Sequence, residues 1–361
     1  MTQEQIRVSA PGRLCLLGEH QDYFGLPIIA AAINLRISIK GKRTAGHKLT
    51  LHLPDIKKNE EFPLNKELAY SQDRDYLKSA VNILLRKNTN PDSGWDATVR
   101  GTIPINSGTA SSSALVVAWI GFLLQACRDP RVSKPKEIAE LAFQSEVAEF
   151  MEPGGKMDHY SSSLGQVISL HFGEKIKITQ FQNPLKQFVL ADSQIRKDTT
   201  GTLGYIKSHV NRAVSKIKKT FPDFDLKQPL SPSLRQEIEK LPQKEKQLLT
   251  GTLMTRDITA QGLALFQDHP FDHQKFGALL SQQQKVIRDY LKVSSPKINQ
   301  MIETSLDAGA LGAKINGSGE GGCVFAYTPN NAEQVAKKLE NLGAKAYIVH
   351  VDKGICIQSF K

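Results

Sequence analysis

The sequence has few of the features that would mark a stapled, metal-held or membrane-bound chain. Its 361 residues include four cysteines, Cys15, Cys127, Cys323 and Cys356. None forms a Cys-x-x-Cys pair and none sits near a histidine at zinc-finger spacing, which argues against a disulfide framework and a structural zinc site. Reduced thiols in a cytoplasmic protein are expected. The longest apolar run, Ala114 to Leu124, is too short to cross a bilayer. The opening MTQEQIRVSAPGR lacks a basic stretch followed by an apolar one, so no secretory signal is expected. There is no internal repeat and no low-complexity segment.

Present instead is an ordinary globular composition, 40% hydrophobic and 23% charged, in a chain long enough for two domains. The net charge of +11 could serve nucleic acid, a membrane surface or an anionic substrate. The lysines and arginines are scattered, however, with only mild enrichment in KSHVNRAVSKIKK, Lys207 to Lys219. Without aromatic interleaving or a nucleic-acid module, this reads as a solvated helix face. Neither a nucleic-acid partner nor a membrane is expected.

Alternating apolar residues mark strands at Ile6–Leu17 (broken by Pro11-Gly12), Ile28–Lys40, Lys48–Leu53, Trp95–Ile103, Gln166–His171 and Gln187–Ala191. Helical spacing marks Asp75–Arg86, Ser112 to about Cys127, and Pro135 to about Phe150. From about Gly201 to Ala308 the chain is mostly helical, then strand (Lys314–Tyr327), helix (Ala332–Leu342) and strand (Ala346–Val351). The change of character near residue 190 sets the expected boundary between domains 1–190 and 191–361.

Four segments carry chemistry-bearing residues. In PINSGTASSSAL, from Pro104, a small-residue loop runs into an apolar helix. Unpaired N–H groups and the positive end of the helix dipole make such a start an anion site suited to nucleotide phosphates, or simply a capped core helix. No Lys follows as in a G-x-x-x-x-G-K-[ST] loop. GAKINGSGEGGCVFAY, Gly312 to Tyr327, places four glycines between Gly317 and Gly322, as a tight hairpin or a cleft-lining loop. GEHQDYFG, Gly18 to Gly25, crowds Glu19, His20, Asp22 and Tyr23 after a strand, as ligands for a polyhydroxylated substrate or as an exposed loop. EFMEPGGKMDHYSSSLGQV, from Glu149, carries Asp158, a turn residue or a general base for phosphoryl transfer to an alcohol. Glu146, on the preceding helix, is of the oxygen-ligand type Mg²⁺ takes.

In order and spacing, these segments resemble the GHMP kinases, named for galactokinase, homoserine kinase, mevalonate kinase and phosphomevalonate kinase. APGRLCLLGEHQDYFG is similar to the first motif of that superfamily in its galactokinase form, PINSGTASSSAL to the second and KINGSGEGGCVFAY to the third. The run EVAEFMEPGGKMDHYSSSLG resembles the galactokinase segment ending in the catalytic Asp, and VSSPKINQMIETSLDAGALGAKINGSGEGGC the run leading into the third motif.

The resemblance implies an α+β fold in two domains, ribosomal-protein-S5-like at the N-terminal side and ferredoxin-like at the C-terminal side, with the active site in the cleft between them. It implies γ-phosphoryl transfer from ATP, with Mg²⁺, to the anomeric hydroxyl of galactose or a related sugar. Asp158 would be the base and Arg13 would offset charge at the reacting hydroxyl. Gly108, Thr109, Ala110, Ser111, Ser112 and Ser113 would hold the nucleotide, and Ser112 and Glu146 the Mg²⁺. Glu19, His20 and Asp22, with Tyr205, Gly319 and Gly321, would line the sugar. Phe24-Gly25-Leu26, Ala30, Gly108-Thr109-Ala110 and Glu320 depart from the galactokinase pattern. Arabinose, a uronic acid or an N-acetylhexosamine are therefore alternative acceptors, and a non-catalytic sensor of ATP and sugar is an alternative of another class. The oligomeric state is left open; a monomer fits.

Overall fold

The computed structural model describes residues 4–360. In chain order its regular elements begin with β1 (Gln5–Leu17), β2 (Ile28–Thr44), β3 (Lys48–Leu53), β4 (Lys58–Pro63), α1 (Tyr76–Leu85), β5 (Gly94–Gly101), α2 (Ser111–Ala126), α3 (Pro135–Phe143) and α4 (Met157–Leu164). They continue with β6 (Val167–His171), β7 (Lys177–Phe181), β8 (Phe188–Asp192), α5 (Thr199–Ile217), α6 (Pro232–Glu239), α7 (Gln243–Leu265), α8 (His273–Val286) and α9 (Pro296–Asp307). Last come β9 (Gly312–Ile315), β10 (Cys323–Tyr327), α10 (Ala332–Asn341), β11 (Lys345–Val349) and β12 (Cys356–Phe360). This is the mixed helix-and-sheet fold expected.

The chain forms two compact units that do not follow a single cut near residue 190. One comprises the described residues up to Arg13, Ala31–Gln166, and Val351 onward; the other comprises Leu14–Ala30 and Val167–His350. The long strands β1 and β2 each contribute residues to both units, and β12 returns to pair antiparallel with β1, Gln5 opposite Phe360 and Ser9 opposite Cys356. A composition shift cannot reveal such a return, because it registers neighbours in sequence and not partners in a sheet.

The first unit is built on the strand order β12-β1-β2-β5-β3-β4, in which β3 and β5 run parallel and β3 and β4 antiparallel. Its core centres on α2. That helix is apolar all round, with Val116, Val117, Trp119, Ile120, Phe122, Leu123 and Leu124 buried, as a core helix must be. Trp119 stacks on Phe122 at 5.4 Å, and Trp95 of β5 meets the same ring edge-on. Rings of this size contribute the most apolar area per residue to a core. The second unit has an antiparallel sheet, β11-β8-β10-β9, backed by the helices α5–α10 over a separate core that includes Ile206, Val210, Leu248, Leu249, Ile298 and Met301.

Three local expectations differ. Pro11-Gly12 does not break β1, which runs unbroken to Leu17. Asp158 lies in the first turn of a helix, α4, and not in a loop turn. The helix begun at Pro135 loosens into a π-helical turn at Gln144–Ala148, the kind of irregularity often found at functional sites.

Candidate functional site

In the first unit the phosphate-loop segment, Arg13, Asp158 and Glu146 converge. The loop before α2 turns through left-handed backbone at Asn106, Gly108 and Ala110. Ala110, at φ 60°, makes no side-chain cap, so the first turn of α2 keeps its positive N-terminal end uncapped. Ser107 and Thr109 are buried and bond each other at 2.9 Å, with Ser107 also donating to the Pro104 carbonyl at 2.8 Å. Their hydroxyls therefore shape the loop, while Ser112 lies exposed at the helix start and Ser111 half-buried.

Arg13 is 4% exposed and bidentate on Asp158, Nε to Oδ1 and Nη2 to Oδ2, both at 2.8 Å. Its Nη1 donates to the Gly108 carbonyl, and its backbone N–H to the Thr109 carbonyl at 3.2 Å. One guanidinium thus ties the candidate base to the phosphate loop. Two parallel bonds fix the carboxylate plane as a single contact could not. The Asp158 side chain stays 27% exposed, so one side of it can meet a reactant.

Glu146 stands on the π-helical turn, buried. Its Oε2 accepts from His159 Nε2 at 2.7 Å, and Ser112 and Ser113 also bond the carboxylate. Burial pushes this carboxyl up, but the bonds from His159, Ser112 and Ser113 more than offset it and hold it below its ordinary value. A hydroxyl and an ionised carboxylate side by side are the protein donors a hard cation takes when nucleotide phosphates and water complete its shell. Ser112 and Glu146 therefore fit Mg²⁺. Among the described residues no cluster of three or more His, Cys, Asp or Glu could hold a metal by itself.

The second unit brings the GEHQDYFG loop to the third glycine loop. Glu19 is 2% exposed, and its oxygens accept from the Lys314 ammonium and the Gly317 N–H. Lys314, fully buried, also donates to the carbonyls of Cys15 at 3.0 Å and Ile315 at 2.9 Å, which occupies all three of its protons. His20 is buried; Nε2 donates to the Ser318 carbonyl at 3.1 Å, and the Tyr23 hydroxyl donates to Nδ1 at 2.9 Å. Burial pulls this imidazole down to about 4 against the opposing charge of Glu19, so it is neutral at pH 7. Asp22 is half-buried and accepts from the Tyr23 N–H at 3.0 Å. Of the three expected sugar ligands, Glu19 and His20 thus brace the loop, and Asp22 is the carboxylate with exposed surface.

Gly319 and Gly321 are demanded by close packing. A Cβ on Gly319, at φ 88°, would lie 2.5 Å from the Val293 carbonyl, and one on Gly321 2.7 Å from the Ile195 carbonyl. Tyr205 is exposed on α5, against His209, and lines a cavity of about 340 Å³ with Asp198, Lys244, Lys292 and Glu320. The sequence reading missed Lys314 and His159. A lone lysine inside the apolar strand β9 was the available signal for the first, and the residue beside the candidate base for the second.

Residues 2–43 match the galactokinase galactose-binding signature, residues 75–166 the GHMP kinases N-terminal domain and residues 263–345 the GHMP kinases C-terminal domain. The chain belongs to the GHMP kinases. It is a phosphotransferase of that family. It is 26% identical to a mevalonate kinase of Pyrococcus furiosus over 97% of both chains, and 25% identical to a galactokinase of Haemophilus influenzae over 93% of this chain and 88% of the relative. Among solved structures it resembles Lactococcus lactis galactokinase complexed with galactose, with a TM-score of 0.83 at 21% identity over 98% of this chain and 95% of that one. It also resembles Methanococcus jannaschii mevalonate kinase, with a TM-score of 0.71 at 19% identity over 96% of this chain and 98% of that one. At such identities the structural likeness speaks for the fold.

Proposed function

We propose that this GHMP kinase is a sugar kinase that transfers the γ-phosphoryl group of ATP to the anomeric hydroxyl of galactose or a sugar of similar hydroxyl arrangement. The observation that carries the reading is the match of residues 2–43, a stretch that includes Arg13, the partner of Asp158, to the galactokinase galactose-binding signature. Asp158 takes the proton of the acceptor hydroxyl. Arg13 holds that carboxylate in one plane and keeps positive charge beside the oxygen as it becomes a nucleophile. The backbone of Gly108–Ala110 and the first turn of α2, with Ser111, Ser112 and Ser113, orient the phosphates for in-line displacement. Ser112 and Glu146 would hold Mg²⁺, which when bound neutralises charge on the transferring group. Asp22 reads the sugar hydroxyls, with Tyr205 as a further contact.

The intact Arg13–Asp158 pair and the serine-rich helix start favour turnover over sensing. The test is ADP release with galactose, glucose, arabinose, galacturonate, N-acetylgalactosamine and mevalonate. Galactose is expected to exceed glucose in kcat/KM, and Asp22→Asn to raise the sugar KM about tenfold with the ATP KM nearly unchanged. Turnover of mevalonate with no sugar accepted would overturn the reading.

A further inference from the structure

We propose that His159 is a positioning residue that aims the Glu146 carboxylate at the divalent cation, so that one turn of α4 sets both the base and the metal ligand. The inference rests on the reading of Glu146 as a Mg²⁺ ligand.

His159 is 1% exposed, and its Nε2 lies 2.7 Å from Glu146 Oε2. Its other nitrogen, Nδ1, is buried with no hydrogen-bond partner among the described residues. That asymmetry selects the tautomer. A proton on Nδ1 would be a buried donor with no acceptor, whereas a proton on Nε2 is donated to a carboxylate. The ring is therefore a fixed donor on one side of Glu146. Phe143 holds it edge-on at 5.7 Å and 86°, which removes the freedom to swing away.

With Oε2 claimed by His159, the remaining lone pairs of Glu146 are directed to the side of Ser112 and Ser113 at the start of α2. A metal-ligating carboxylate needs this kind of outer support, because an unrestrained side chain must be ordered each time the ion binds. Glu146 stands on a π-helical turn, and the imidazole restrains its side chain there. The adjacent residue, Asp158, is gripped by Arg13 from another direction. Consecutive residues of α4 therefore carry the base and the residue that aims the metal ligand, and a displacement of this turn moves both.

The experiment measures Mn²⁺ affinity by electron paramagnetic resonance in the presence of the non-hydrolysable β,γ-imido analogue of ATP. The proteins are wild type, Glu146→Gln, His159→Leu and His159→Gln, with folding checked by circular dichroism. His159→Leu removes the donor at similar volume and is expected to weaken Mn²⁺ about 10–100-fold. His159→Gln places an amide N–H near the old Nε2 and is expected to stay within about threefold of wild type. Metal-free binding of the analogue should be unchanged throughout. Should the leucine variant not fold, His159→Asn, one methylene too short to reach, takes its place. Weakened Mn²⁺ binding in Glu146→Gln but wild-type binding in His159→Leu overturns this inference alone, as does a loss in His159→Gln equal to that in His159→Leu. Wild-type binding in Glu146→Gln removes the metal role of Glu146 and the inference with it.

Discussion

Two buried ion pairs, one in each unit, carry the motif residues, and they are built for opposite ends. Arg13 and Asp158 are joined by two bonds of 2.8 Å, yet Asp158 keeps an open side next to a loop whose helix is uncapped. Glu19 and Lys314 lie wholly inside their unit, with every proton of the lysine given to protein oxygens. An ion pair with an open side can take part in chemistry, whereas one closed on all sides can only hold backbone segments in register. A signature sequence can therefore mix residues left open to a reactant with residues closed into the fold, and burial separates the two sorts.

The sharpest way to break the comparison is Lys314→Met. Losing one partner of a buried pair leaves Glu19 uncompensated and should cost about 3–5 kcal/mol of stability. Chemical denaturation measures it, and the fraction that remains folded should retain much of its kcat. A stable Lys314→Met protein with greatly reduced kcat would place the pair among the chemical groups instead. Asp158→Asn tests the other pair. The folded state should persist, while kcat falls about 10²-fold or more, equivalent to about 2.7 kcal/mol of barrier. Near-wild-type kcat in a single-turnover assay would dismiss Asp158 as the base.

His20 sharpens the contrast through pH. Its folded value near 4 lies below its ordinary 6.5, so between these values the unfolded chain binds the proton and the folded chain does not. Stability is therefore full above about pH 6.5 and falls as the pH drops toward 4. From pH 7.5 to pH 5 the loss is about 2 kcal/mol. His20→Asn, which tolerates the left-handed backbone at φ 61°, should flatten that part of the profile in thermal unfolding. An unchanged slope would show that other groups dominate it.

The parts of this molecule that repeat along the chain were legible in its sequence. The alternation in Lys48–Leu53 and the apolar spacing over Asp75–Arg86 correspond to β3 and α1, and the small-residue run before α2 reads correctly as the start of a helix. Partnerships between distant segments were not. β12 is short and largely exposed, so its residues lack the apolar pattern that would announce a strand, and only pairing with β1 makes it one. The left-handed backbone of Ala110 carries no signal in an alanine. Asp158 could be proposed from the segment around it, whereas nothing in GEHQDYFG reveals that Glu19 pairs with Lys314, almost three hundred residues later. Side chains that act on a substrate and side chains that act on the fold can be chemically identical; the difference lies in what the rest of the chain brings to them.

The pairing of β1 with β12 also bears on how the chain is made. The ribosome completes Gln5–Ser9 about 350 residues before it reaches Cys356–Phe360. Throughout that interval the outer edge of β1 offers a row of unpaired N–H and C=O groups, an open template for any other extended strand. The strand that bears Arg13 thus emerges long before its border is covered, and the wait for β12 is a period in which a growing chain is exposed to wrong pairing.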